Sequence, residues 1–209
     1  MCNSISINLA VEDDLSEHFL RTLLDQCGRS YEVGAVFGKQ GYGFLKNKLR
    51  GFNNAANHQP YILLTDLDRR PCATELIQDL FKCSVADYPS RKGRNLLLFI
   101  AFREVETWLM ADREAFASFL RIRVQEITST PELIPDPKEY LIGLARKSKN
   151  RLIREDIVPL DGSLATKGPD YNGRLAEFLL SRWRMQVAVQ NSPSLSRAVH
   201  VLQNFCPRY

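Results

Sequence analysis

The sequence is short of the residues that build small secreted domains and structural metal sites. Its five cysteines, Cys2, Cys27, Cys72, Cys83 and Cys206, form no CxxC pair, and its three histidines, His18, His58 and His200, lie far apart. Neither a paired disulfide framework nor a zinc ribbon is supported. No G-x-x-x-x-G-K-[ST] loop occurs, so NTP hydrolysis has no motif to rest on. No apolar run reaches the ~20 residues of a membrane span. The opening MCNSISINLAVEDD lacks a basic start and a long apolar stretch, so it does not read as a signal peptide. Reduced cysteines and no export signal predict a cytoplasmic protein that does not engage membranes. Internal repeats and low-complexity tracts are also missing.

What is present is ordinary globular material. The 209 residues are 44% hydrophobic and 25% charged. A chain of this length can bury a core without crosslinks, as one domain or as a core with an appendage. The net charge of +4 fits an anionic partner without demanding one.

Strand and helix signals alternate through the first half. Ser4 to Val11 reads as a short buried strand, and Asp13 to Cys27 as an amphipathic helix stopped by Gly28. Tyr31 to Phe37 is a second strand, followed by the loop GKQGYG (38–43) and a short basic helix over Phe44 to Phe52. Tyr61 to Thr65 is a third strand, and Pro71 suits the first turn of a helix reaching Lys82. Asn95 to Phe102 is a fourth strand without polar alternation, as in strands covered on both faces. Arg103 to Leu120 reads as helix, with a break near Asp112. The alternation predicts an α/β fold with a mostly parallel four-stranded sheet flanked by helices. Beyond residue 120 the pattern changes to a proline-rich connection, TPELIPDPK (130–138), and helices over 139–150, 170–189 and 194–205. The expected organisation is a core over 1–120 and a helical extension over 121–209 packed on it.

Three acidic clusters follow strand ends: Glu12 with Asp13, Asp66 with Asp68, and Glu104 with Glu106. Open α/β sheets bind ligands at that edge. Asp66 and Asp68 share a face while the backbone stays extended. Carboxylates grouped there suit Mg²⁺ or Mn²⁺, which prefer hard oxygen ligands. Taken singly, each cluster also reads as helix-capping or solvated acid. Their common placement tips the balance towards one site.

The order strand-Glu-helix (INLAVEDD) and then strand-DxD (YILLTDLD) resembles the TOPRIM fold of topoisomerases, primases and OLD-type nucleases. The segment FIAFREVETWLMADRE, with Glu106 two residues before Trp108, resembles a bacterial group of small TOPRIM-like proteins related to RloB and other defence-locus components. SLSRAVHVLQ resembles that group's tail. The resemblance implies a TOPRIM-like Rossmannoid core in which Glu12 acts as general acid/base or metal ligand. It implies that Asp66 and Asp68 hold Mg²⁺ and that Glu106 completes the site. One departure is Asp13, which stands where the family has glycine. Haloacid-dehalogenase phosphatases and glycosyltransferases also use DxD, but Arg69-Arg70 and the chain's length fit them less well.

Basic residues gather around Lys39, Lys46, Lys48 and Arg50, around Arg91, Lys92 and Arg94, and from Arg146 to Arg154. Such runs either track a nucleic-acid backbone or form solvated faces paired with acids. GKQGYG reads as a turn, with a phosphate cradle as the alternative. Lys167, in LATKGPDY, is a candidate for stabilising transition-state charge on a phosphate. The sequence thus leads to a Mg²⁺-dependent phosphodiester-processing protein, a nuclease or nuclease-like defence component acting on nucleic acid. The alternatives are a catalytically weak TOPRIM-like interaction module serving a separate partner, such as an ATPase subunit, and a small-phosphoester phosphatase.

Overall fold

The computed structural model describes residues 4–84 and 86–208, so Cys2 lies outside the described residues. Four strands form one all-parallel sheet: β1 (Ile5–Val11), β2 (Tyr31–Gly38), β3 (Tyr61–Asp66) and β4 (Leu96–Ala101), in the order β2-β1-β3-β4. Parallel neighbours require crossovers, and here these are α1 (Asp14–Gln26), α2 (Gly41–Ala55), and α3 (Ala73–Phe81) with the short α4 (Tyr88–Arg91). This is the α/β sheet that the alternating pattern predicts.

Both faces of the sheet are covered. Ile7, Leu9, Val11, Ile62 and Leu64 join the larger apolar cluster under α1. Ala10, Tyr61 and Leu63 point the other way, onto Leu45, Leu49 and Phe52 of α2 and Leu76 and Leu80 of α3. The period of two along each strand assigns neighbours to opposite layers, which is why these strands carry apolar residues at successive positions.

After β4 come α5 (Glu106–Met110), α6 (Arg113–Leu120), two 3₁₀ turns, α7 (Pro137–Arg146), α8 (Arg151–Ile157), α9 (Tyr171–Ser181), α10 (Met185–Ala188) and α11 (Pro193–Asn204). Their apolar faces belong to the same cluster as α1. The Phe19 ring contacts Trp108 and Trp183 at centroid distances of 5.1 and 5.0 Å, joining the first helix to the last third of the chain.

Several element boundaries differ from expectation for local reasons. α2 begins at Gly41, inside the anticipated loop, because Gly41 turns at φ +76° and its N–H donates to the Glu12 carbonyl at 2.9 Å. Pro71 precedes α3 rather than opening it, since Cys72 is extended. Residues 103–105 are not part of a continuous helix, and Arg103 turns at φ +68°. The break at Asp112 is present, with Asp112 capping α6 through Ala115 N. The helix expected over 170–189 is split at 182–184. There Arg184 donates its backbone N–H and its guanidinium to the fully buried Asp112. α8 starts within what read only as a basic run and continues to Ile157. Among the described residues, no helix is long and apolar enough to cross a membrane.

Candidate functional site

The strand order turns in opposite directions from β1: to β2 on one side and to β3 on the other. The C-terminal ends of β1 and β3 therefore flank a topological switch point, where open α/β sheets leave a crevice. Glu12 follows β1 directly, and Asp66 is the last residue of β3. They meet: Glu12 Oε1 accepts from Asp66 N at 3.1 Å and from Thr65 Oγ1 at 2.5 Å. Burial raises the Glu12 pKa, the two hydrogen bonds oppose that, and the Asp68 and Asp13 charges add to it.

Asp66 is the electrostatic centre of the group. Its Oδ1 accepts from Val105 N at 3.0 Å, which ties β3 to the turn after β4. Burial holds its carboxyl well above the usual range, and the charges of Glu106, Glu12 and Asp68 push it further. The second oxygens of Glu12 and Asp66 receive no hydrogen bond among the described residues, and neither is sealed from solvent.

Asp68 is arranged differently from the sequence expectation. The strand ends at Asp66, and Asp68 takes a left-handed conformation, φ +52°, so the DxD segment is not extended. Its N–H donates to the Arg103 carbonyl at 2.7 Å, and Arg103 Nη1 donates back to the Asp68 carbonyl at 3.1 Å. This reciprocal pairing fixes the turn. The exposed Asp68 carboxylate faces Arg70 at 3.5 Å.

Glu106 opens α5 and is only 3% exposed. Its Oε1 accepts from the Tyr171 hydroxyl at 3.0 Å. Burial beside that carboxylate keeps Tyr171 protonated, with a pKa far above the ordinary phenol value. Lys138 Nζ lies 3.7 Å from Glu106 Oε1 and 3.6 Å from Glu104 Oε1. Burial alone would lower the Lys138 pKa; Glu106, Glu104 and Asp66 together hold it above the ordinary lysine value. For Glu104, burial and the neighbouring Glu106 raise the pKa against the pull of Lys138.

Lys138 and Tyr171 were not legible as site residues. Their approach to Glu106 comes from how α7 and α9 dock, at sequence separations of 32 and 65. The lysine singled out in the sequence, Lys167, is exposed. Its Nζ lies 3.4 Å from Asn172 Oδ1 and 5.6 Å from the Tyr171 ring centre, and it pairs with no carboxylate among the described residues.

The donor set of Glu12, Asp66 and Asp68 is all carboxylate oxygen, the chemistry Mg²⁺ and Mn²⁺ prefer. Among the described residues, no three acidic, histidine or cysteine side chains stand together as a finished cation cage. The fit lies in the character of the donors and in the grouping of carboxylates around Asp66. Beside them opens a cleft of about 610 Å³, lined by Arg69, Arg70 and Arg103 together with Asp68, Glu104 and Asp136.

Part of each of two basic runs is paired internally. Lys39 pairs with Asp14 and Glu17, Lys46 with Asp79, Lys147 with Glu126 and Arg151 with Glu155. In the GKQGYG segment, Lys39 N and Gly41 N donate to the Val11 and Glu12 carbonyls. Those two amides brace the end of β1.

No protein-family model matches the chain, and no curated protein matches it. Among solved structures it is similar to the C-terminal region of the Burkholderia pseudomallei OLD protein, at 15% identity over 95% of this chain and 97% of that one, with a TM-score of 0.43. No residue role is carried across at that distance.

Proposed function

We propose that the chain is a TOPRIM-like, Mg²⁺- or Mn²⁺-dependent phosphodiester-processing protein acting on nucleic acid, a nuclease or nuclease-like component of a bacterial defence system in the cytoplasm. The observation that carries this reading is the meeting of Glu12 and Asp66 at the switch point, with Asp68 and Glu106 adding to the charge at Asp66. Glu12, Asp66 and Asp68 would hold the cation, with Glu106 behind them. Such an ion supplies charge neutralisation at phosphate and a more acidic bound water. Thr65 and Asp66 N fix one oxygen of Glu12, leaving the other free to take a proton from an attacking water. Arg69 and Arg103 line the adjoining cleft and would take flanking phosphates. Lys167 would face the same phosphates from the segment before α9.

The test is incubation of the purified chain with single- and double-stranded DNA and RNA in Mg²⁺ or Mn²⁺. Cleavage is expected with the native chain and not with Asp66→Asn. No cleavage together with no cation binding in calorimetry would refute the proposal. A second reading is favoured by one observation: Glu106 is already bonded to Tyr171 and faces Lys138. On that reading the chain is a catalytically weak interaction module serving a partner such as an ATPase subunit. Metal-dependent cleavage by the isolated chain, lost in Asp66→Asn, rules it out.

A further inference from the structure

We infer that Lys138 is a resident counter-ion that closes the Glu104/Glu106 half of the acidic cluster to divalent cations, leaving Glu12, Asp66 and Asp68 to take a single one. The inference rests on the cation-binding reading above and specifies its stoichiometry.

The two halves of the cluster are built differently. In the open half, the second oxygens of Glu12 and Asp66 carry no hydrogen bond among the described residues, and the Asp68 carboxylate lies 3.5 Å from Arg70. In the closed half, Glu106 Oε1 already has the Tyr171 hydroxyl at 3.0 Å and the Lys138 ammonium at 3.7 Å. Glu104 is held twice by the same residue, through Lys138 N to Oε2 at 3.2 Å and Lys138 Nζ to Oε1 at 3.6 Å.

Lys138 does not arrive there on a loose tether. Asp136 caps α7 by accepting from Glu139 N at 3.0 Å, and Pro137 is buried in the first turn. The backbone of Lys138 is thus docked on Glu104 before its side chain adds a charge. Glu106 is 3% exposed while the Lys138 side chain is 36% exposed, so solvent reaches the lysine more readily than the carboxylate it faces. A small divalent cation needs direct oxygen contacts near 2.1 Å. To make them at Glu104 and Glu106 it would have to displace an ammonium or lie against it, and like charges in such contact repel.

The deciding measurement is the number of Mn²⁺ ions bound by the metal-free full chain, counted by isothermal titration calorimetry and by electron paramagnetic resonance of free Mn²⁺. The native chain should bind one. Lys138→Met should bind two, with Lys138→Gln run in parallel in case the methionine variant folds poorly. Lys138→Arg, which keeps the charge, should bind one. Two ions on the native chain, or one ion on folded Lys138→Met and Lys138→Gln, would overturn the inference while leaving the cation-binding reading intact. No Mn²⁺ bound by the native chain would overturn both.

Discussion

Asp66 carries a consequence that can be measured without any substrate. Its pKa in the folded chain is raised by burial and by neighbouring carboxylates, so the fold favours its neutral form. A carboxyl with a raised folded-state pKa contributes no penalty below the unfolded value near 4. As pH rises through its folded-state pKa, stability is progressively lost. Asp66→Asn keeps an oxygen for Val105 N and removes the titration. In chelator, thermal melts of Asp66→Asn should therefore exceed those of the native chain at pH 8 and converge with them near pH 4. The gain should be roughly 2–4 °C for each kcal/mol of relief. A native chain whose melting temperature is flat over this range would contradict the assignment. Single residues also show what local spacing can and cannot reveal. Asp13 is extended at φ −150° and caps α1 through Ser16 N at 2.8 Å, so no glycine is required there. The requirement sits at Gly38, where a Cβ would fall 1.9 Å from the Val11 carbonyl. That contact lies between neighbouring strands and is invisible in local spacing.

At the scale of elements, β1 and β3 and their terminal acids were legible because each is a short apolar run closed by a carboxylate. The helical connections were less so. α5 is five residues long and stands by its contacts instead of its helix signals. Its Trp108 is fully buried, its indole N–H donates to Ser194 Oγ at 2.7 Å, and its carbonyl accepts from Trp183 Nε1 at 3.1 Å. Trp108 thus joins α5 to α11 and to the segment before α10. Trp108→Ala should cost about 3–5 kcal/mol in denaturant unfolding, as expected for removal of a large buried aromatic side chain. Trp108→Phe, which retains most of the volume, should cost clearly less. Equal losses in the two variants would place the weight on the indole hydrogen bond instead.

Across the whole molecule, one apolar cluster runs from Ile7 in β1 to Phe205 beyond α11. Parts that share a core unfold together. Calorimetry and far-UV circular dichroism should therefore report a single coincident transition. A chain ending at Leu120 would expose the surfaces of Phe19 and Trp108 that Trp183 and Ser194 cover. It should bind a hydrophobic dye and melt without cooperativity; a sharp, dye-silent melt of that fragment would show a self-sufficient core. The same sharing explains the limit of sequence reading at the site. Glu12 and Asp66 belong to strands that announce themselves, whereas Lys138 and Tyr171 reach Glu106 only because two distant helices dock together.

One small irregularity sets the phase of the edge strand. The pairing of β1 with β2 slips by a residue between Ile7 and Leu9, and Asn8 Oδ1 accepts the Ala35 N–H at 2.8 Å. A Cβ on Gly34 would stand 2.7 Å from that oxygen. The slip places Gly38, and no bulkier residue, opposite Val11. Asn8 thus works as a counting device: it spends one extra residue early in β2 so that the glycine arrives in step with the end of β1. An edge strand that lost this count would deliver a side chain into the Val11 carbonyl and tilt the strand end from which Glu12 projects.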